Sequence, residues 1–314
     1  MGSGFKAAPS YLWGQSVAKR FHYGGQAVIE GVMIRGQKAM VTAVRRPDKS
    51  ISVDAQSLPR FANSRVRQVP VIRGIIVLVE TLVLGYKSLL YSANVSLEEE
   101  GEKISGRAAW GMVASSLALV VAVFFIAPLF LARTLDVYIE SSILFHLVEG
   151  FIRLGIFIAY LKLMGLSASL RRVFSYHGAE HKAVNAFEAG VPLEVATVQE
   201  YNTAHRRCGT SFMFVVLVIA IIVFSLIGRP SLWLMVLWRI VLIPAIAGLS
   251  YEIIQFGARH EDNGLVRALL APGLWLQKLT TREPDDGQLE VSISALRRAV
   301  EVDSSEELEP STSG

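Results

Sequence analysis

Two histidines and a glutamate stand at metal-site spacing in a polar segment of a largely apolar chain. His177, Glu180 and His181 form the pattern His-x-x-Glu-His. On a helix, positions i and i+4 share a face, so the two imidazoles are predicted to point towards one metal ion. In hydrolases with this inverted zinc motif, the glutamate is the general base towards a metal-activated water. The alternative is a hydrogen-bonded polar cluster without a metal, or contacts to lipid headgroups.

A third ligand has to come from another part of the chain. His205 and Cys208 are zinc ligands by type and precede an apolar stretch. Glu252 lies far along the last apolar stretch, ~31 Å beyond its start at Ser231 if the stretch is helical, which is about one bilayer thickness. These residues are therefore predicted to meet the histidine pair at one membrane face, where they would hold zinc or another divalent transition metal. Catalytic and purely structural metal sites both remain open.

A second polar set lies inside the apolar stretches. His146, Glu149 and Arg153 follow one another at i, i+3 and i+7, and Arg239 occurs in a later stretch. Charged residues within a membrane are costly and are usually paired, so Glu149 is predicted to pair with Arg153, with Arg239 or with both. The set either fixes the helices together or provides a path for an ion or a polar solute.

The elements that must position these residues are long apolar segments. The chain is 52% hydrophobic and only 18% charged, whereas soluble domains have about 25% charged residues. About 20 apolar residues cross a bilayer, which predicts spans at 110–132, 142–166, 211–227 and 231–256. Short links after the first and third spans make two hairpins, 110–166 and 211–257. The predicted fold class is an α-helical integral membrane protein with four transmembrane helices.

The charge distribution predicts the orientation of these spans. Lysine and arginine are concentrated before the first span, in the middle loop 167–210 and in the tail 258–314, while each short link has one arginine. By the positive-inside rule, both termini and the middle loop are cytoplasmic. The single cysteine excludes an intramolecular disulfide.

The remaining segments are predicted to be cytoplasmic or interfacial. Residues 1–69 form an N-terminal segment with a small antiparallel sheet over 22–57, in which 27–34 is one strand and 47–49 is a turn. Residues 70–93 form an interfacial or re-entrant helix, because their apolar core is short and contains Glu80. The middle loop has a helix over 175–189, with Ser175 as a possible N-cap and Gly190 after its end. The acidic, serine-rich tail is predicted to be disordered after about residue 283.

Four stretches of the chain carry a family resemblance. They are GGQAVIEGVMIR (24–35), PVIRG (70–74), YHGAEHK (176–182) and HRRCGTSF (205–212). At these stretches the chain resembles the DUF1385 family of bacterial membrane proteins, which are described as predicted metal-dependent enzymes. The resemblance implies a metal-dependent enzyme in the bacterial cytoplasmic membrane. It also brings Gln26, Glu30 and Arg35 into the candidate site.

Three functions are compatible with these features. The first is a zinc-dependent hydrolase at the cytoplasmic membrane surface, acting on a peptide or a lipid-linked group. The second is a non-enzymatic scaffold that binds protein-export machinery, a ribosome or anionic lipid. The third is a small-solute or ion transporter, which with four spans would require oligomerisation. Membrane lipid is an expected partner in each case, with a membrane protein partner or a homo-oligomer open and no specific nucleic acid expected.

Overall fold

The N-terminal part folds as an antiparallel meander. This computed structural model describes residues 23–58, 68–97, 106–205, 207–260 and 263–305. β1 (Gly24–Val28), β2 (Gly31–Arg35), β3 (Ala39–Arg45) and β4 (Ile51–Ser57) pair in sequential order. The predicted sheet is confirmed, and so is its turn at 47–49, although 27–34 is divided by a turn at Ile29 and Glu30. Glu30 makes this turn with a φ of 51°.

Helices make up most of the rest. Their bounds are α1 Ile72–Ser96, α2 Gly106–Val121, a π-helical turn Ala122–Ile126, α3 Ala127–Arg133, a 3-10 turn Asp136–Tyr138, α4 Ser142–Met164, α5 Ala168–Glu188, α6 Val195–Gln199, α7 Gly209–Ile227, α8 Leu232–Val241, α9 Ile243–Arg259, α10 Gly264–Thr280 and α11 Asp286–Ser304. α2, the π-helical turn and α3 follow without a break.

Both faces of the sheet are covered by helices. Side chains alternate between the two faces along a strand, and the central strands β2 and β3 are apolar on both. Val32, Ile34 and Val41 pack against α5 and α11. Met33 and Met40 point the other way and pack against α1. The sheet therefore forms the middle layer of a helix–sheet–helix unit.

The prediction of disorder after residue 283 is wrong for 286–304, which form α11. Asp285 caps this helix, and Gln288 completes a capping box with it. Apolar residues recur at helical spacing and are buried against the sheet; they include Leu289, Leu296 and Val300. The polar composition reflects only the outer face of an amphipathic helix. Residues 306–314 lie outside the described part.

Within the described residues, four helices are long and apolar enough to cross a membrane. They are Ile72–Ser96, Trp110–Arg133, Ser142–Met164 and Gly209–Ile227. The last three coincide with the first three predicted spans, while the first is the segment that was expected to be interfacial or re-entrant. The fourth predicted span consists of α8 and α9, which meet at an angle of 48°. Pro244 accounts for the break, because it cannot donate a hydrogen bond to the preceding helical turn.

The helix with the histidine pair begins earlier than expected. α5 starts after Ser167, whose side chain accepts from the N–H of Leu170 at 3.5 Å. Ser175, predicted as the N-cap, instead lies mid-helix and donates to the carbonyl of Arg171. Gly190 follows the helix end with a φ of 73°, as predicted. The longer helix places the two histidines in its centre, where their spacing is held firmly.

Candidate metal centre

The two histidines of α5 lie side by side. The ring centroids of His177 and His181 are 4.4 Å apart. Gly178 follows the first histidine, and a side chain there would overlap the carbonyl oxygen of Arg282. The link between α10 and α11 therefore passes directly over α5 at this position and packs against the pair.

Backbone carbonyls fix the orientation of both imidazoles. His177 Nδ1 lies 2.9 Å from the carbonyl oxygen of Thr280, and His181 Nδ1 lies 2.5 Å from that of Thr203. Because a carbonyl oxygen only accepts, each Nδ1 carries a hydrogen, and in a neutral imidazole this leaves the lone pair on Nε2. Histidines that bind metals are oriented in this way, by a hydrogen bond from the ring nitrogen that does not bind the metal.

A thiol completes the group from another element. Cys208 is the N-cap residue of α7, and its Sγ lies 3.2 Å from His177 Nε2. One ligand atom from each of His177, His181 and Cys208 lies within 4.8 Å of the others. The thiol and His181 are buried and His177 is half-buried, so the donors meet at a partly enclosed point.

The chemistry of these donors fits zinc. Zn²⁺ is bound by imidazole nitrogen and thiolate sulfur, and catalytic zinc sites have three protein ligands with one position left open. Two Nε2 atoms and one Sγ supply such a set. The positive end of the α7 dipole also favours negative charge on a sulfur at its N-terminus.

Glu180 and His205 lie beside this group. The Oε2 atom of Glu180 is 3.5 Å from His181 Nε2, and its side chain is buried. The ring of His205 lies 5.6 Å from that of His181, but its Nε2 faces Glu188 at 3.6 Å. The structure thus places a carboxylate next to the donors and puts His205, predicted as a ligand, in the surrounding layer.

Glu252, predicted as a ligand, is used elsewhere. Its carboxylate accepts hydrogen bonds from both Nε and Nη2 of Arg73. It also accepts a hydrogen bond from the N–H of Val71 at 3.3 Å. Close by, Gly74 and Gly248 face one another with no room for a Cβ between α1 and α9. This expectation was therefore wrong: the acid holds the start of α1 against α9, and Cys208 supplies the third donor.

Gln26, Glu30 and Arg35 do not gather at the metal centre either. Gln26 donates to the carbonyl of Gly85 at 3.1 Å, and Arg35 faces Glu80 at 3.5 Å, both on α1. Burial lowers the pKa of the Arg35 guanidinium. These two side chains fasten the sheet to α1.

Glu30 fastens the sheet to α5. Its carboxylate accepts hydrogen bonds from both Nε and Nη2 of Arg172, the latter at 2.7 Å. It also accepts a hydrogen bond from the hydroxyl of Tyr176 at 3.3 Å. Hydrogen bonding to Glu30 raises the pKa of Arg172, while burial and the charge of Glu30 raise the pKa of Tyr176. Glu30 lies in the turn between β1 and β2 with a left-handed backbone, and its carboxylate reaches α5 from there.

The second polar set forms a closed network among the apolar helices. Glu149 pairs with Arg153 at 2.5 Å and with Arg239 through two hydrogen bonds, so the predicted pairing is confirmed for both partners. His146 Nδ1 lies 3.3 Å from Glu149, and its Nε2 lies 2.9 Å from the carbonyl of Gly228. All four side chains are buried, and they join α4 to α8 and to the link between α7 and α8.

A backbone carbonyl one helical turn before a proline is the last partner of this network. In a regular α-helix the donor to the carbonyl of Phe124 would be the N–H of residue 128, but this residue is Pro128, which has none. Arg153 Nε donates to this carbonyl at 2.9 Å. The missing N–H of Pro128 thus leaves an acceptor where a buried guanidinium needs one.

Comparison with known proteins identifies the family of this chain. Residues 69–302 match the family model described as "Protein of unknown function (DUF1385)". The chain belongs to the DUF1385 family. It is 35% identical over 297 residues to "Uncharacterized protein YqhQ" of Bacillus subtilis (strain 168), which covers 90% of this chain and 93% of that relative. No solved structure matches the chain. The matched range of the DUF1385 model includes α5, the N-terminus of α7 and α10.

Sequence reasoning missed the contribution of α10 to the centre. Gln277 accepts from the N–H of His205 and donates to its carbonyl, and it also donates to Ser211. Thr280, one turn later, supplies the carbonyl that holds His177. One sequence signal could have revealed this role. Gln277 and Thr280 are polar residues on the same helical face as Gly273 and Leu276, which is the buried face of α10.

Proposed function

We propose that this chain is a membrane-bound, zinc-dependent hydrolase. The main support is that ligand atoms of His177 and His181 on α5 and of Cys208 at the start of α7 lie within 4.8 Å of one another. Both histidines are already oriented through Nδ1, as metal-binding histidines are. A hydrogen-bonded polar cluster alone would not require a thiol and two imidazole lone pairs to point at one position.

The residues divide into those that would bind the metal ion and one that would transfer a proton. His177, His181 and Cys208 would hold the ion, which when bound acts as a Lewis acid towards water and towards a carbonyl or phosphoryl oxygen. Glu180 would accept the proton of an attacking water and return it to the leaving group. Thr203, Thr280 and Gln277 keep the imidazoles and the neighbouring loop in position.

In the membrane arrangement we propose, the metal centre lies at the cytoplasmic surface of a bacterial membrane. Helices 110–133, 142–164 and 209–227 cross the bilayer, and the bent α8–α9 pair crosses as a broken span. The basic loop with α5 and both termini then lie on one side, in agreement with the positive-inside rule.

We place α1 at this surface rather than across the bilayer. From Glu80 onwards, α1 packs on the sheet. Glu80 forms an ion pair with Arg35, and Ser88 shares a buried hydrogen bond of 2.9 Å with Thr42. Its first turn binds Glu252 of α9 through Arg73. A helix held along the sheet and at the end of a span is consistent with an interfacial or re-entrant position.

Metal analysis of the purified protein tests the centre. We expect about one zinc per chain in detergent, as for one three-ligand site, and a loss of zinc in His177→Ala, His181→Ala and Cys208→Ser. His260→Ala is the matched control, because His260 is exposed and stacks on Phe256 away from the centre. Zinc absent from the wild-type protein, or retained equally by all variants, would overturn the proposal.

Spectroscopy and turnover test the assigned roles. Cobalt in place of zinc should show thiolate-to-metal charge-transfer absorption that disappears in Cys208→Ser. Glu180→Gln should retain zinc but lose hydrolysis of p-nitrophenyl acetate, because the proton acceptor is gone while the ligands remain. Equal hydrolysis by Glu180→Gln and wild type would exclude the catalytic assignment and leave a structural metal site.

A further inference from the structure

α10 has an exposed apolar surface next to the helices that can cross a membrane. One side of its C-terminal half is buried: Gly273 lies against Ser211, and Leu276 packs among side chains of α4 and α7. By contrast, Leu265, Leu269 and Trp275 are 70%, 66% and 53% exposed. Three large apolar side chains on one short helix require a partner other than water.

The charged residues of α10 lie on a separate side. Arg267 and Lys278 are both exposed. They are eleven residues apart, about three helical turns, and therefore share a face. Leu265 and Leu269, at i and i+4, share a different face, and Trp275 lies between the two in helical angle. A basic side, an apolar side and a tryptophan at the boundary are typical of helices in the headgroup layer.

Helices that pack against α10 also expose large apolar side chains. Leu163 and Leu166 at the end of α4, and Phe256 near the end of α9, are 65%, 72% and 57% exposed. α9 is packed against α10 where Gly257 meets Leu270. α10 thus packs against helices that are apolar enough to cross a bilayer and that themselves expose apolar side chains.

We infer that α10 is an interfacial helix that lies in the headgroup layer of an anionic phospholipid leaflet. Its leucines contact the acyl chains, and Arg267 and Lys278 contact the lipid phosphates. Its last turn holds His177 through Thr280 and the His205 backbone through Gln277. The helix therefore ties the candidate metal centre to the membrane surface. If the proposed hydrolase function holds, its substrate is a membrane-resident amphiphile.

Depth-dependent quenching of Trp275 tests this inference. The chain has five tryptophans, so a variant with phenylalanine at the other four reports on α10 alone. It is reconstituted in vesicles of phosphatidylcholine and phosphatidylglycerol that contain lipid brominated either near the headgroup or near the chain end. We expect several-fold stronger quenching by the shallow bromines and weak quenching by aqueous acrylamide. Trp233 on α8, which is 80% exposed, gives the matched single-tryptophan control.

Two results would overturn the inference. Strong quenching by acrylamide means that α10 faces water, and quenching by neither agent means that protein covers it. If the four-fold variant does not fold, the difference in quenching between wild type and Trp275→Phe gives the same information. Repeating the measurement in Cys208→Ser separates lipid contact from zinc binding, because only the latter should be lost.

Discussion

The substitution Glu149→Gln is expected to destabilise the helical part of the chain strongly, because it leaves two buried guanidiniums without a counter-charge. Glu149, Arg153 and Arg239 are each at most 2% exposed. With the carboxylate their formal net charge is +1, and without it the charge is +2. Glutamine keeps the shape of the side chain and one acceptor oxygen, so the effect reports mainly on the lost charge.

The expected magnitude follows from the burial of the pair. Removing one partner of a buried ion pair costs about 3–5 kcal/mol, and glutamine, which keeps one acceptor, should lie near the lower value. The exposed pair Asp136–Arg229 gives a matched comparison, with side chains 41% and 26% exposed. Exposed pairs contribute only about 0–1 kcal/mol, so Asp136→Asn should have little effect.

Titration of the purified protein with sodium dodecyl sulfate, followed by circular dichroism, measures these differences. The triple variant Glu149→Gln, Arg153→Met, Arg239→Met removes all three charges and should regain most of the lost stability, because apolar side chains of similar volume can replace a buried ion network. A destabilisation by Glu149→Gln no larger than that of Asp136→Asn would refute the assignment of this network as a structural element.

Three further predictions concern the sheet and the metal centre. Gly178→Ala should push the α10–α11 link away from α5 and weaken zinc binding by about tenfold, through loss of the Thr280 bond to His177, as measured by competition with a chelator. Asp303→Ala should lower the free energy of unfolding by about 1.5 kcal/mol, because its carboxylate accepts two backbone N–H groups in the β2–β3 turn; Glu301→Ala on the same helix is the control for chemical denaturation. Stability should fall above about pH 10, because the raised pKa of Tyr176 keeps it protonated when folded while the unfolded chain ionises, and Tyr176→Phe should reduce this slope in the same assay.

Local spacing was sufficient to predict the histidine pair but not its third partner. The i, i+4 rule depends only on helix geometry, so it placed His177 and His181 together without knowledge of the fold. The choice between Cys208 and Glu252 depends on how α7 and α9 are rotated about their axes. Arg73, which takes Glu252, comes from 179 positions away in the chain. No pattern within one segment encodes that contact.

For the fold as well, features set by one segment were predicted correctly, and features that depend on distant segments were not. Apolar length identified 110–132, 142–166 and 211–227, because hydrophobic length is a property of one segment. The error at α11 came from composition, since serine and acidic residues on one face concealed the apolar stripe on the other. The sheet that receives this stripe lies about 250 residues earlier in the chain, so the partner that stabilises α11 was not visible locally.

The two polar sets of this chain differ in how many of their polar atoms already have hydrogen-bond partners. This difference separates a structural role from a chemical one. Among the apolar helices, the carboxylate of Glu149 is bound by three neighbours, and Arg153 takes the carbonyl that Pro128 leaves free. A set engaged in this way offers little to a passing ion, which argues against transport. At the edge of these helices, His177 and His181 use Nδ1 for orientation and turn Nε2 towards a thiol and a carboxylate. Imidazole nitrogens held in this orientation are what a metal ion requires of its ligands, so chemistry is expected at the histidine pair of α5 and not among the apolar helices.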